Sequence, residues 1–338
     1  MRVLLTGGLG YIGSHTAIEL IAGGHEPLII DNLENSTTDV LESIERFTGT
    51  RPAFEEIDIR DWSSLSRAMG QFQPEAIVHF AAKKDPQESI EKPLDYYDAN
   101  VSGSINLIKC AREHSTRKFV FSSSAAVYGH AKQTPISEDH PLEVLSPYAR
   151  TKHIGELMIE DVFSSQAGAS AFILRYFNPV GTHQSGALIA HHKKAAKNLF
   201  PALMRAVQSR TEVLTIHGRD LPTPDGTGIR DYIHVQDLAA GHVAALECLD
   251  QRSGVEILNV GTGRGYSVRE VIETCERALG RRVPYQFGPP REGDPAVSFA
   301  ETLKSVAVLN WAPRLKLEDM LLDEWRAFSA CGSDRSTA

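Results

Sequence analysis

The chain has 338 residues, 42% of them hydrophobic, and its 35 Lys+Arg against 43 Asp+Glu give a formal charge of −8. That length exceeds the usual single domain and leaves room for two lobes or one large α/β domain with an appendage, while the acidic balance, with no long basic run, argues against a general nucleic-acid binder. No apolar run approaches the ~20 residues of a membrane span, and Cys110, Cys248, Cys275 and Cys331 have no metal-type or disulfide-framework spacing, so a reduced, cytoplasmic enzyme with no membrane partner is expected.

Residues 2–6 read as a short buried strand, and an apolar-periodic helix follows over 11–21. Between them Gly7, Gly10 and Gly13 stand three apart, and Gly8, Gly10 and Gly13 satisfy G-x-G-x-x-G. Glycines there permit a sharp turn, let backbone N–H groups approach a pyrophosphate and allow close helix packing, with the helix N-terminus facing the anion. The spacing alone is a weak signal, so its context matters. A second strand over 26–30 ends in Asp31, where a carboxylate can accept hydrogen bonds from an adenosine ribose. Asn32 and Leu33 follow, with no arginine for a 2′-phosphate, which favours NAD over NADP.

Strand and helix signals then alternate: strand 53–57, helix 63–70, strand 76–80, a long helix 94–113 and strand 118–122. Such alternation predicts an α/β fold with a Rossmann-type doubly wound parallel sheet covered on both faces. Asp58 and Ile59, just after the third strand, border an adenine or, equally, cap the next helix. Phe80, Ala81, Lys83 and Lys84 follow the fourth strand at the carboxyl edge where such sheets bind ligands, and one of the two lysines is expected to meet the cofactor. The fifth strand delivers Ser122, Ser123 and Ser124 to the same edge. A helix starting near Pro147 then places Tyr148 and Lys152 four residues apart on one face. Bringing a phenol from a pKa of ~10 to neutrality takes about 4 kcal/mol. One ammonium at ~6 Å supplies on the order of 3 kcal/mol at an effective dielectric of about 20. An oxidised nicotinamide ring is a second cation that closes the gap, which ties this pair to the glycine turn.

After a buried strand over 169–174, the pattern becomes less regular. A helix near 201–208, a short strand 213–217, a Gly/Pro-rich stretch 219–228 and a helix running to about 249 suggest a smaller substrate lobe. The chain divides into a dinucleotide-binding domain over 1–179, a substrate lobe over 180–330 with segments packing back on the first domain, and a frayed tail over 331–338.

Gly7-Gly8-Leu9-Gly10-Tyr11-Ile12-Gly13-Ser14-His15, Asp31-Asn32-Leu33, Ser122-Ser123-Ser124, the Tyr148/Lys152 pair, Arg175-Tyr176-Phe177-Asn178-Pro179 and the run from Asp225 to Val235 occur in order. Together they resemble the UDP-glucose 4-epimerase family of extended short-chain dehydrogenase/reductases, from the first strand to about Trp311. The resemblance implies tightly held NAD that takes a hydride from C4 of a UDP-hexose and returns it to the other face of the 4-keto sugar. Tyr148 is then general base and later acid, Ser124 hydrogen-bonds the reacting oxygen, and Lys152 holds the nicotinamide ribose while lowering the tyrosine pKa.

By the same resemblance the cofactor is held by Gly7, Gly10, Tyr11, Ile12 and Gly13, by Asp31, Asn32, Asn35 and Ser36, by Asp58 and Ile59, by Phe80, Ala81 and Lys84, and by Phe177 with Tyr148 and Lys152. The UDP-sugar falls to Ser124, Tyr148, Asn178, Asn198 and Leu199, with Arg230, Arg291 and Asp294 on the diphosphate or uridine. Arginine suits a diphosphate because its planar fork bonds two oxygens at once. A homodimer through helices near 94–113 and 147–163 is also implied. No metal is expected, since the adjacent His191 and His192 lack i,i+4 spacing.

The chain departs from the family pattern at four places. Ala126 stands where a threonine is common, removing one hydroxyl from the substrate pocket. His217 replaces an aromatic residue beside the uracil, where an imidazole can still stack. Residues 188–197 carry Lys193, Lys194 and Lys197 in place of an acidic, proline-containing segment, either near phosphate or on a solvated helix face. Ser298 occupies a position where a bulky tyrosine accompanies restriction to glucose and galactose, and a serine leaves room for an acetamido group, so N-acetylated substrates are expected as well. Other readings are a nucleotide-sugar dehydratase or reductase and a non-catalytic dinucleotide sensor. Dehydration needs an Asp-Glu pair after the active-site serine, and Ala125-Ala126 occupy that place.

Overall fold

The computed structural model describes residues 1–338 except 185–187, 189–197, 210, 292 and 334–338, and for 331–333 the backbone only. The lysine-bearing segment singled out above therefore lies, apart from Leu188 and Asn198 at its borders, outside the described residues.

The first half alternates as its hydrophobic pattern requires. It runs β1 (Arg2–Thr6), α1 (Tyr11–Ala22), β2 (Glu26–Asp31), α2 (Asp39–Thr48), β3 (Ala53–Glu56), α3 (Trp62–Phe72) and β4 (Ala76–His79). Next come α4 (Pro86–Glu91) and α5 (Pro93–Tyr96), which passes through a π-helical stretch, Tyr97–Ser102, into α6 (Gly103–Glu113). β5 (Lys118–Ser124), a 3₁₀ turn over Ala125–Tyr128, α7 (Pro147–Ser165) and β6 (Ser170–Tyr176) complete it.

The later elements are β7 (Asn178–Val180), α8 (Leu199–Gln208), β8 (Leu214–His217), β9 (Ile229–His234), α9 (Val235–Cys248), β10 (Gly254–Val260) and β11 (Gly265–Ser267). They end with α10 (Val268–Leu279), β12 (Tyr285–Gly288), β13 (Val297–Ser298), α11 (Leu303–Leu309) and α12 (Leu317–Ser333).

Seven strands form one parallel sheet in the order β10-β6-β5-β4-β1-β2-β3. Along β1, Val3 and Leu5 enter one hydrophobic core and Leu4 the other. This is the period-2 signature of a strand covered on both faces. One core lies under α1, α2 and α9, the other under α3, α6 and α7. The chain winds outward from β1 to β3 and then restarts at β4 on the other side of β1. The switch point, where such sheets bind ligands, thus lies at the carboxyl ends of β1 and β4.

Several elements differ from the sequence expectations. The single helix expected over 94–113 is a short α-turn, a π-helical stretch and α6. α2 and α4 are additional helices; Val40, Leu41 and Ile44 of α2 are buried on one side of it. α12 continues to Ser333, past the residue where a frayed tail is expected. β10 extends the main sheet beside β6, and α9 packs along α1. The remaining late elements build a small sheet, with β11, β7 and β13 all pairing β9, and a β8–β12 pair. A separate core under α8, α10 and α12 supports them.

Cys110, Cys248 and Cys275 are free thiols, and burial pushes the first and last up to about 11. Among the described residues no helix is long and apolar enough to cross a membrane, and no group of three or more His, Cys, Asp or Glu is placed to hold a metal ion.

Candidate active site

The turn after β1 is built for close approach. Gly7 has φ +68°, and a Cβ there would sit 2.7 Å from the backbone nitrogen of Ala81. A Cβ on Gly13 would sit 2.3 Å from the Gly7 carbonyl oxygen and 2.7 Å from Gly8 Cα. α1 starts after Gly10 with no side-chain cap and no acidic residue in its first turn. Its first N–H groups, on Tyr11, Ile12 and Gly13, are therefore presented to an anion without competition from a carboxylate.

Asp31, 8% exposed, ends β2 with its carboxylate facing this turn. It accepts hydrogen bonds from the N–H groups of Leu9 (3.1 Å) and Leu33 (3.0 Å) and from Ser36 Oγ (2.8 Å). Ser36 is buried by this bond, whereas Asn32 and Asn35 are exposed. Asn32 Nδ2 donates to Asp58 Oδ2 at 2.8 Å. Asp58 is also gripped by Arg60 through two nitrogens, 2.9 and 2.7 Å, which hold its carboxyl well below the usual range. α3 is capped by Asp61, whose side chain accepts from the Ser64 N–H, so the capping role considered for Asp58 belongs to its neighbour. Ile59 is buried.

At the end of β4, Phe80 packs against His242, with ring centroids 4.7 Å apart, and Ala81 lies beside the Gly7 turn. The two lysines separate here. Lys84 places Nζ 5.7 Å from the centre of the Tyr11 ring, at the first residue of α1, whereas Lys83 pairs with Glu34. The backbone of Lys83 is held by Asn100, which accepts from its N–H (2.8 Å), donates to its carbonyl (3.0 Å) and also donates to Thr151 Oγ1 on α7 (2.9 Å). Asn100 sits in the π-helical stretch, and no periodicity or motif in the sequence singles it out.

One strand further on, the chemistry converges. β5 presents Ser124, and its Oγ accepts from the Ala126 N–H at 3.2 Å, which starts the 3₁₀ turn. α7 begins with Ser146 as N-cap, accepting from the Ala149 N–H at 3.2 Å, and with Pro147 at its first position. This cap fixes the start of the helix and hence the facing of Tyr148, 8% exposed, and Lys152, 4% exposed. A Cβ on Gly155 would meet the Phe121 ring at 2.5 Å, so glycine lets α7 lie close to β5.

Lys152 Nζ donates to the Ser122 carbonyl at 2.7 Å and lies 5.2 Å from the centre of the Phe121 ring. Burial pushes its pKa down to about 8, opposed by the nearby Glu156 carboxylate. Burial raises Tyr148 above the ordinary phenol value, and a hydrogen bond with Ser124 works the other way. The expected downward shift of the phenol is therefore outweighed by desolvation. Tyr176 shares the crevice, with its hydroxyl bonded to Ser122 Oγ.

Phe177 is buried, and its N–H donates to the Val260 carbonyl (3.2 Å). Asn178 opens β7, in register with Tyr232 of β9, and Ser298 of β13 is in register with Arg230. Side chains in register and two apart share a face, so Asn178, Arg230 and Ser298 lie on one side of the small sheet. Asn198 and Leu199 start α8, which reaches that face through the Phe200–Tyr232 contact, ring centroids 5.3 Å apart. Arg230 Nη2 approaches Asp294 Oδ2 at 3.8 Å. Arg291 is exposed on the segment before β13, and its carbonyl accepts from the Asp294 N–H (3.3 Å). His217 ends β8, with Nδ1 3.1 Å from the Pro289 carbonyl oxygen. Ala126 lies in the 3₁₀ turn beside Ser124.

The profile of the NAD dependent epimerase/dehydratase family matches residues 3–261. The chain belongs to that family. It is 42% identical over 332 residues to the UDP-glucose 4-epimerase of Bos taurus, covering 96% of this chain and 95% of the other. A crystal structure of UDP-glucose-4-epimerase from Stenotrophomonas maltophila, with bound NAD and formylated UDP-arabinopyranose, superposes with a TM-score of 0.95 at 43% identity, over 99% of each chain. The UDP-Glc/GlcNAc 4-epimerase of Campylobacter jejuni gives a TM-score of 0.85 at 32% identity, over 98% of this chain and 99% of that one. As in the family, the cofactor is NAD, and the residues present fit it: a glycine cradle that a Cβ would fill, an uncapped helix start, and a carboxylate at the end of β2.

The start of α1 is also tied to the far end of the chain. Tyr11 OH donates to the Gly181 carbonyl at 2.5 Å, and the Gly181 N–H donates to the carboxylate of buried Glu324 on α12. Burial pushes Glu324 up from 4.5 to about 7. A carboxyl whose folded pKa is raised favours the folded state below its unfolded value, and that contribution is lost as pH rises through about 7. Glu324→Gln is expected to be more stable than the parent at pH 8, by up to about 3 kcal/mol, and nearly equal to it at pH 4. Urea unfolding at the two pH values measures this; equal stability differences at both would contradict it.

Proposed function

We propose that this protein is a UDP-hexose 4-epimerase that interconverts UDP-glucose and UDP-galactose, and UDP-GlcNAc and UDP-GalNAc as well. The observation that supports it best is the convergence of Ser124, Tyr148 and Lys152 beside an NAD-binding turn, with Ala125 and Ala126 where a dehydratase needs carboxylates. Residues 1–179 chiefly hold the cofactor, and residues 180–330 chiefly hold the UDP-sugar.

NAD, when bound, supplies the hydride acceptor and donor at C4 and a positive ring near Tyr148. Tyr148 takes the proton from the C4 hydroxyl and later returns it. Ser124 hydrogen-bonds the same oxygen and so steadies the charge that develops there. Lys152, fixed by the Ser122 carbonyl, keeps a cation at the base of the site below pH about 8. Neighbouring positive charge is what a buried phenol needs to ionise. Arg230 and Arg291 grip the diphosphate, Asp294 and His217 the uridine, and Asn178, Asn198 and Leu199 the sugar side. Anchoring the UDP end leaves the 4-keto sugar free to turn its other face.

Purified protein given UDP-galactose without added nucleotide is expected to form UDP-glucose. Tyr148→Phe should cut kcat by roughly 10²–10⁴-fold, the span of general acid–base catalysis, while bound nicotinamide stays stoichiometric. Retained nucleotide with no turnover in the parent protein would instead favour a sensor.

Ser298, beside Arg230, leaves room at the sugar end for an acetamido group. Ser298→Tyr should lower kcat/KM for the N-acetylated pair about 10-fold or more, with the glucose/galactose pair little changed, because pocket volume is its main effect. Equal or higher rates on the N-acetyl pair would count against this reading.

The protein is further proposed to be a cytoplasmic homodimer. Ile90, Leu94 (79% exposed), Ile105 and Leu157 leave apolar surface on α4–α7, outside the core that these helices cover. Sedimentation should show a dimer, and Ile105→Glu with Leu157→Glu a folded monomer; an unchanged dimer would place the interface elsewhere.

A further inference from the structure

One turn beyond Lys152, the same face of α7 presents Glu156, 1% exposed. A carboxylate is an expensive group to bury, and this one is fully engaged. Arg175, 3% exposed, donates to it from Nε (2.9 Å) and Nη2 (2.7 Å), a bidentate pair. Ser123 Oγ donates to it at 2.5 Å. His153, half-buried on the same helix, places Nδ1 3.6 Å from the second oxygen.

The partners sit next to the reacting groups. Ser123 precedes Ser124 on β5, and Arg175 pairs in register with Ser123 on β6. The remaining Arg175 nitrogen, Nη1, donates to Tyr128 OH (3.2 Å) and to the Glu138 carbonyl (3.3 Å). Tyr128 OH in turn donates to Asn259 Oδ1 on β10 (2.7 Å). One ion pair thus joins the helix carrying Tyr148 and Lys152, the strand carrying Ser124, and the segment that follows Ser124.

Buried ion pairs are weak sources of net stability, because desolvation offsets their attraction. Their strength is directional, since a bidentate guanidinium fixes both distance and plane. We propose that Glu156 and Arg175 are positioning residues, which lock Ser124 against Tyr148 and Lys152 so that both hydroxyls meet the reacting oxygen together. This rests on the catalytic reading above.

Ser123→Ala and Arg175→Lys test it in the NAD-loaded enzyme. The first removes a single buried hydroxyl; the second keeps the charge opposite Glu156 but cannot bridge both of its oxygens and reach Tyr128. Misplacement on the order of 1 Å costs up to about 10²-fold in rate. The expected result is a kcat lower by about 5–20-fold in Ser123→Ala and about 50-fold or more in Arg175→Lys. KM should stay within about threefold and nicotinamide content should be unchanged, while single-turnover reduction of the bound cofactor, followed by its near-ultraviolet absorbance, slows by the same factor. A lower melting temperature with kcat per loaded subunit within about threefold of the parent would mean a structural role only and overturn the proposal. If Arg175→Lys does not fold, Ser123→Ala decides alone. Parent enzyme that fails to turn over UDP-galactose, or Tyr148→Phe that still does, would overturn the underlying reading. Parent turnover lost in Tyr148→Phe but intact in Ser123→Ala would overturn the positioning role alone.

Discussion

A phenol and an ammonium are buried together at the carboxyl end of β5, and much of the surrounding structure answers that cost. Burial drives both groups toward neutrality: Lys152 falls to about 8 even with the Glu156 carboxylate opposing, and Tyr148 rises above its ordinary value despite the hydrogen bond with Ser124. An acid/base pair left in that state would be inert near pH 7. The Glu156 carboxylate, the Ser122 carbonyl and the face of Phe121 favour the ammonium, and the hydrogen bond with Ser124 favours the phenolate. A positive nicotinamide ring would further favour the phenolate, while it would oppose the ammonium. The glycine turn fits NAD, and on the proposed reading the base would be poised when the cofactor is bound.

The same burial explains why the protein reads well from its sequence in some places and poorly in others. β1, β2 and β5 are legible because both faces are covered, which makes their residues continuous apolar runs bounded by Gly, Asp or Ser. The glycine turn is legible because Gly7 and Gly13 have no room for a Cβ. Tyr148 and Lys152 show themselves by helical spacing taken together with Ser124 and the glycine turn. Glu156 carries the same signal one turn later, yet its meaning depends on Arg175, which only strand register brings near. Asn100 owes its reach to a π-helical stretch, for which the sequence has no periodic signature. The direction of the Tyr148 shift is also a property of the fold, since burial depth cannot be read from four-residue spacing.

The interleaving of the two halves follows from the sheet. β6 needs a neighbour on its outer edge, and β10 supplies one in parallel register, with Asn259 beside Arg175. Through Tyr128 that asparagine joins the network around Glu156. A segment far along the chain is thereby packed into the support of α7. Tyr11, Gly181 and Glu324 make a comparable link between the first helix and the last. A clean division into a cofactor half and a sugar half would lose both.

The residues proposed for proton chemistry and those proposed for sugar recognition nevertheless stand on different supports. Ser124, Tyr148 and Lys152 are held by the seven-stranded sheet and α7, whereas Asn178, Arg230 and Ser298 share one face of the small sheet around β9. On the proposed reading, a change of side-chain volume at Ser298 alters the room beside Arg230, on a sheet separate from the one that α7 covers. Distant, unconnected changes are additive in free energy. On the proposed reading, selectivity among hexoses can therefore vary on the small sheet while Tyr148, Lys152 and Glu156 stay fixed.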